Sequence, residues 1–294
     1  MATTDAASIL ERINHEQEHY SPKLKRAAVY ILDHADEVGL NSMRRVAADA
    51  GVAPNTLLRL VRDLGFDDYE QFRTPFRERL RREIDRFPDQ ARWLQSLARG
   101  GRHGQLFSGM AESGLANIEN LFANVDAEEV HRAAERIDAA RRVYVFGVGF
   151  SAALAHYFWY IAHMGAANFI LVPQQGSLPI DDLVAIQSDD VLVTMTFTPY
   201  RREVVELTRY AHEQGASVIA ISDSRGSPIM RYATHGFVTP METPQFFPSL
   251  VAVTALLETL LAFIVADAED QVVAEIERLH RVRHETGVYW SEDD

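Results

Sequence analysis

Five short apolar runs organise the second half of this chain: VYVF from Val143, then NFILV, DVLVTM, SVIAIS and HGFVT. Helical stretches separate them, and the spacing is that of βαβ units. A run of such units leaves few topologies open. It predicts a five-stranded parallel sheet with helices on both faces, a three-layer α/β domain. In the strand order 2-1-3-4-5, strands one and three flank the switch point where ligands bind.

The first part of the chain has a different pattern. Residues 1–80 show helical periodicity throughout, with turns at Ser21-Pro22, Gly39 and Gly65. Residues 81–140 are also helical but carry two interruptions, RFPDQ and ARGGRHG, the second a flexible joint. The expected division is therefore 1–80, an all-α domain; 81–140, a helical linker; 141–270, the α/β domain; and 271–294, a C-terminal helix and tail. At 294 residues the chain is long enough for two cores.

Within the first domain, SMRRVAADAGVAPNTLLRLVRDLGF fits two helices packed across a tight turn. Gly51 suits the left-handed backbone of that turn. Pro54 suits the first position of the second helix, where its missing N–H costs nothing. This is a helix-turn-helix, whose second helix enters the major groove of DNA with its N-terminal residues at base edges. Asn55, Thr56 and Arg59 take that position, since Asn suits a bidentate contact to adenine and Arg to guanine. Arg44, Arg45 and Arg62 are placed to meet phosphates.

Charge agrees with this reading once its placement is considered. The formal net charge of −13 argues against a protein coated in nucleic acid. Residues 42–82, however, hold nine arginines against six acids, so that segment is +3 and the rest of the chain −16. A locally basic face on an acidic body fits docking by one side only.

The start of the α/β domain, VYVFGVGFSAALAHYFWYIAHMG, reads as strand, glycine turn and helix. Ser151 follows the Gly147-x-Gly149 turn at the helix start, where exposed N–H groups and the positive helix end favour an anion. A second hydroxyl loop, TMTFTPYRRE, contributes Thr196 and Thr198, with Pro199 expected at a first helical position. A third, ISDSRGSPI, contributes Ser222 and Ser224. The loose G-x-G-x-x-A match would suit a dinucleotide, but the next acid, Asp181, lies 34 residues beyond Gly147 and not the roughly 20 a ribose needs. A nicotinamide site is disfavoured.

The order of these parts resembles the RpiR-type bacterial transcriptional regulators. The N-terminal match rests on Val52-x-x-x-Thr56, Arg59 and the ending Leu64, Gly65, Phe66, Tyr69, Phe72, with Ala53 where the family usually has a capping Ser. The block from Val143 to Val238 resembles the sugar isomerase (SIS) domain, a flavodoxin-like fold that binds phosphosugars. Gly147, Gly149, Ser151, the second loop and Ser222, Asp223, Ser224, Ser227 and Pro228 carry that match. Where SIS domains often read S-x-S-G-x-T-x-E, this chain reads T-F-T-P-Y-R-R-E. Pro199 removes one N–H from the loop, and Arg201 adds a charged five-donor fork.

The resemblance implies a cytoplasmic, ligand-responsive DNA-binding regulator and not an enzyme. Its ligand site comprises Gly147, Gly149, Ser151, Thr196, Thr198, Arg201, Ser222 and Ser224, and its effector is a small anion, a phosphosugar or a carboxylate. Its partners are that effector, a palindromic operator and a second copy of itself, as a dimer or, through paired SIS domains, a tetramer. The alternative is a phosphosugar isomerase, for which Glu203, Glu258, His156 and His163 are the available proton carriers.

Three further readings close the sequence. Cysteine is absent, so no disulfide or thiolate metal site exists. HEQEH, from His15 to His19, matches the zinc-protease string H-E-x-x-H but lacks a third ligand and a substrate-binding strand, and His280 and His284 also lack a third ligand. No metal or cofactor is expected. SLVAVTALLETLLAFIVA is broken by Glu258 and followed by Asp267, so it reads as a buried helix and not a membrane span.

Overall fold

The structure, a computed structural model, describes residues 5–16, 19–268 and 270–290. Gln17 and Glu18 of HEQEH and the last four residues of the C-terminal tail lie outside the described residues. The N-terminal periodicity becomes six helices: α1 (Ala6–Glu16), α2 (Pro22–Asp33), α3 (Ala35–Leu40), α4 (Met43–Asp49), α5 (Pro54–Asp63) and α6 (Tyr69–Arg99). Their apolar stripes meet in one core around Ile13, Ile31, Val46, Leu57, Leu60 and Phe72. The ends are set by local chemistry. Ser42 caps α4 by accepting from the Arg45 N–H, and Asp68 caps α6 by accepting from the Gln71 N–H at 2.8 Å. Between α4 and α5, Gly51 adopts φ +63°, Ala53 is the N-cap with no side-chain hydrogen bond, and Pro54 opens α5.

One expectation fails here. RFPDQ does not interrupt anything; α6 runs through both Pro75 and Pro88. An internal proline loses a hydrogen bond and crowds the preceding turn, at about 3 kcal/mol. Tertiary contacts beside Pro88 oppose that cost. The Phe87 ring lies 5.1 Å from that of Phe247, and Gln90 Nε2 donates to the Pro244 carbonyl at 2.7 Å. The second interruption is real: α6 ends at Gly100, Gly101 takes φ +67°, and α7 (His103–Asn124) follows.

After α8 (Ala127–Asp138) the chain alternates as its apolar runs require: β1 (Val143–Phe146), α9 (Ser151–Ala162), β2 (Phe169–Val172), α10 (Pro179–Leu183), β3 (Val191–Met195), α11 (Arg202–Glu213), β4 (Ser217–Ser222) and β5 (His235–Val238). The strands pair in parallel in the order β2-β1-β3-β4-β5. Successive side chains leave opposite faces of a strand, so each strand feeds two cores. Val143, Val145, Val193 and Ile219 pack with α8, α9 and α12 (Val251–Ala266). Tyr144, Phe146, Leu192 and Val218 pack on the other face with Leu183, Val204 and Ala211 from α10 and α11. The greasy run is α12, with Leu256, Leu257 and Leu260 buried against the sheet. A last helix, α13 (Asp270–Glu285), packs its Val272 and Ile276 near Gly165. No single helix among the described residues is long and apolar enough to cross a membrane.

Candidate functional site

The candidate DNA-reading face forms on α5 because Leu57, Leu60 and Val61 turn inward, leaving Asn55 and Arg59 outward. Asn55 and Arg59 are exposed and Thr56 half-buried at the start of that helix. Arg44 and Arg62 are exposed, and neither forms an ion pair among the described residues. Arg45 is engaged with Asp49 at 2.8 Å, and Arg59 lies 4.0 Å from Asp63. Not every arginine of the basic segment faces outward. Arg73 is nearly buried and holds the end of α3, donating to the carbonyls of Gly39 and Leu40 at 3.0 and 3.2 Å.

The second site lies where β1 and β3 end. A Cβ on Gly147 would sit 2.5 Å from the Ser151 carbonyl oxygen, so only glycine lets the helix start so close to the strand. Gly149 takes φ +63°, and α9 begins two residues later with Ser151 almost fully buried. The Ser151 hydroxyl has no hydrogen-bond partner among the described residues. Over this turn lies Arg201, its Nη2 3.4 Å from where a Gly149 Cβ would be. Its guanidinium makes no ion pair among the described residues, whereas Glu206 is taken by Arg209 at 3.0 Å. An unpaired guanidinium above a helix N-terminus is an arrangement for an anion.

The other hydroxyls play a different part. Thr196 Oγ1 accepts from the Arg201 N–H at 3.2 Å, and Ser222 Oγ donates to the Thr196 carbonyl at 2.5 Å. Ser224 Oγ accepts from the Gly226 N–H at 3.0 Å. The Thr198 N–H donates to Asp223 Oδ2 at 3.0 Å. Ser222 and Asp223 thus tie the third loop to the second, through the Thr196 carbonyl and the Thr198 N–H, while Ser224 braces its own turn. Pro199 is not at a first helical position as expected. α11 opens at Arg202 with Arg201 as its N-cap, and the Thr198-Pro199 peptide is cis. Arg201 is held out over the cradle because the loop delays the helix.

Sequence reasoning passed over Asp223 as a link between loops, and it missed the aromatic lining. Phe150, inside the glycine turn, lies 5.6 Å from Phe197 of the second loop and 4.9 Å from Phe247, ring to ring. These rings sit in coil between β5 and α12 or within loops, where no periodicity marks them.

The chain matches two family models: the helix-turn-helix domain of the rpiR family over residues 7–83, and the SIS domain over residues 136–266. It is an RpiR-type transcriptional regulator. The HTH-type transcriptional regulator HexR of Escherichia coli (strain K12) is 25% identical over 251 residues, 82% of this chain and 81% of that one. The Vibrio vulnificus NanR protein, solved in complex with ManNAc-6P, shares the fold at a TM-score of 0.57 and 19% identity, over 95% of this chain and 98% of that one. The sugar isomerase domain of an RpiR transcription factor from Sphaerobacter thermophilus matches at a TM-score of 0.57 and 25% identity, over 60% of this chain and 99% of that one.

Of the residues weighed for other chemistries, Glu203 is exposed in the first turn of α11, beside the second loop. Glu258 accepts a hydrogen bond from the Tyr157 hydroxyl at 2.8 Å, and the rings of His156 and His163 lie against Trp159. Asp181 and Asp182 serve the α10 turn, where Asp182 accepts from the Ser177 hydroxyl at 2.6 Å. His280 and His284 both pack against Tyr289. No group of three or more metal-ligating side chains occurs among the described residues.

Proposed function

We propose that this regulator senses a phosphosugar, held by Gly147, Gly149, Ser151 and Arg201, and that it is not an isomerase. The observation that carries this reading is the unpaired Arg201 guanidinium above the Gly149 turn. Pro199 has no N–H to offer, and that of Thr198 is spent on Asp223. The second loop thus gives an anion little from its backbone, and the guanidinium supplies the missing donors. NanR, solved with ManNAc-6P, supports a phosphorylated sugar over a simple carboxylate as the effector. Thr196, Thr198, Ser222 and Ser224 shape the cradle.

The reading divides the chain near residues 80, 140 and 270 and places the protein in the cytoplasm. It acts as a homodimer on a palindromic operator, contacted through Asn55, Thr56 and Arg59, with Arg44, Arg45 and Arg62 toward phosphates. Phe107, Leu115 and Phe122 of α7 are exposed and lie on one side of that helix, which suits pairing between copies. An effector shifts DNA binding only by binding two arrangements of the dimer unequally.

A thermal-shift series with sugar phosphates, sugar acids and small carboxylates tests the site. A ligand at 100 times its dissociation constant adds about 2.7 kcal/mol. A sugar phosphate is expected to stabilise the wild type strongly and Ser151→Ala weakly, with no turnover of the sugar. Stabilisation by carboxylates alone, or conversion of the sugar phosphate to an isomer, would overturn the reading.

A further inference from the structure

The segment from Ser222 to Arg231 touches two parts of the molecule. At its start it belongs to the cradle wall: Ser222 bonds to the Thr196 carbonyl, and Asp223 takes the Thr198 N–H. A few residues later it meets the DNA-reading domain. Gly226 is buried against Glu37 of α3, so closely that an added Cβ would lie 2.4 Å from Glu37 Cγ and 3.0 Å from its backbone nitrogen. Arg231 donates to the Asn41 side-chain oxygen and approaches the Leu40 carbonyl at 3.5 Å. Leu40 and Asn41 are the end of α3, where unpaired carbonyls and the negative helix pole favour a guanidinium. Arg73 grips the same Leu40 carbonyl from within the reading domain. Glu37 and Asn41 are buried as a result, Glu37 also bonding to Tyr30.

Between the two anchorages lies Ser227, whose buried hydroxyl has no hydrogen-bond partner among the described residues. Such a group carries a cost in this arrangement that a shifted loop would relieve. We propose that the Ser222–Arg231 loop is a clasp that fastens the DNA-reading domain to the SIS domain by α3, fixing how the recognition helix is presented, and that an anion in the cradle acts on DNA binding through it. Only the last clause rests on the effector reading above.

Gly226→Ala tests the clasp while keeping the N–H that Ser224 accepts and changing no side chain of the cradle or of α5. Gly226 has no positive φ, so alanine is tolerated by its backbone and acts through the contact with Glu37. Arg231→Ala removes the polar grip and adds no bulk. Both are made in the full chain and compared with wild type by hydrogen exchange and by affinity for a duplex that the wild type has enriched from a random pool.

The expected result is at least about tenfold faster exchange over α3, with exchange over α9 unchanged. DNA affinity should also move by about fivefold or more without any sugar phosphate, and the response to ManNAc-6P should be lost. Wild-type exchange over α3 in both variants would overturn the clasp, as would wild-type DNA affinity in both. If the wild type ignores ManNAc-6P and every other sugar phosphate while the variants still loosen α3 and shift DNA affinity, the effector reading fails and the clasp stands.

Discussion

Arg59 stands exposed on α5 with Asp63 one turn behind it, 4.0 Å away. That exposed pair is weak, so the guanidinium is released to DNA at little expense. Arg59→Ala is expected to cost about 1–3 kcal/mol of operator affinity and to relax sequence preference at one position. Competition binding against single-base operator variants checks it, and unchanged preference would remove Arg59 from base reading. In the cradle, Arg201→Ala is expected to weaken sugar-phosphate binding by about 1.5–3 kcal/mol, the range for a hydrogen bond to a charged group. Its effect on the melting temperature without ligand should be slight, because Arg201 is exposed and unpaired. Titration calorimetry with matched thermal melts separates the two. Equal loss of stability and binding would mean that Arg201 is structural.

Elements explain why some of this was legible in the sequence and some was not. The five strands and the helix-turn-helix could be read because the strands are short continuous apolar runs buried on both faces, the helices bury one stripe with period 3.6, and Gly51, Pro54 and Gly149 make conformational demands that are local. The unbroken α6 could not. Pro88 signals a break locally, and the partners that oppose it, Phe247 and Pro244, are distant in sequence. The α11 start was misplaced by the same logic, since Pro199 suits a first helical turn but sits in a loop tied to Asp223. The seven hydroxyl and glycine positions proposed for the cradle came from motif, as did Arg201. Spacing alone did not separate Ser151, left open, from Ser222, which is spent on the Thr196 carbonyl. Two substitutions test the elements themselves. Ala53→Ser restores a side-chain cap to α5 and should stabilise the reading domain by about 1 kcal/mol. Gly147→Ala forces a Cβ onto the Ser151 carbonyl and should destabilise by about 1–3 kcal/mol or more. Denaturant midpoints measure both, and a neutral Gly147→Ala would mean that the strand-to-helix turn has room to relax.

At the scale of the whole molecule, a reader of a few arginines is joined to an acidic body by the long helix α6 and by the Ser222–Arg231 loop. Local positive charge steers it to DNA while the rest stays clear, so operator affinity should fall steeply with salt. In the proposed homodimer, pairing of two copies would set the spacing of the two recognition helices. If the exposed face of α7 pairs them, Leu115→Glu should shift the dimer toward monomer in analytical ultracentrifugation, and an unchanged dimer would place the pairing surface elsewhere. The proposed regulation turns on one linkage, between an anion under Arg201 and DNA at α5. Its most direct test is the affinity of the full-length protein for a selected operator duplex, measured across a titration of sugar phosphates including ManNAc-6P. One of them is expected to change that affinity by about 1–3 kcal/mol, the usual size of an allosteric coupling, and Ser151→Ala to blunt the change. Operator affinity that no sugar phosphate alters would contradict it.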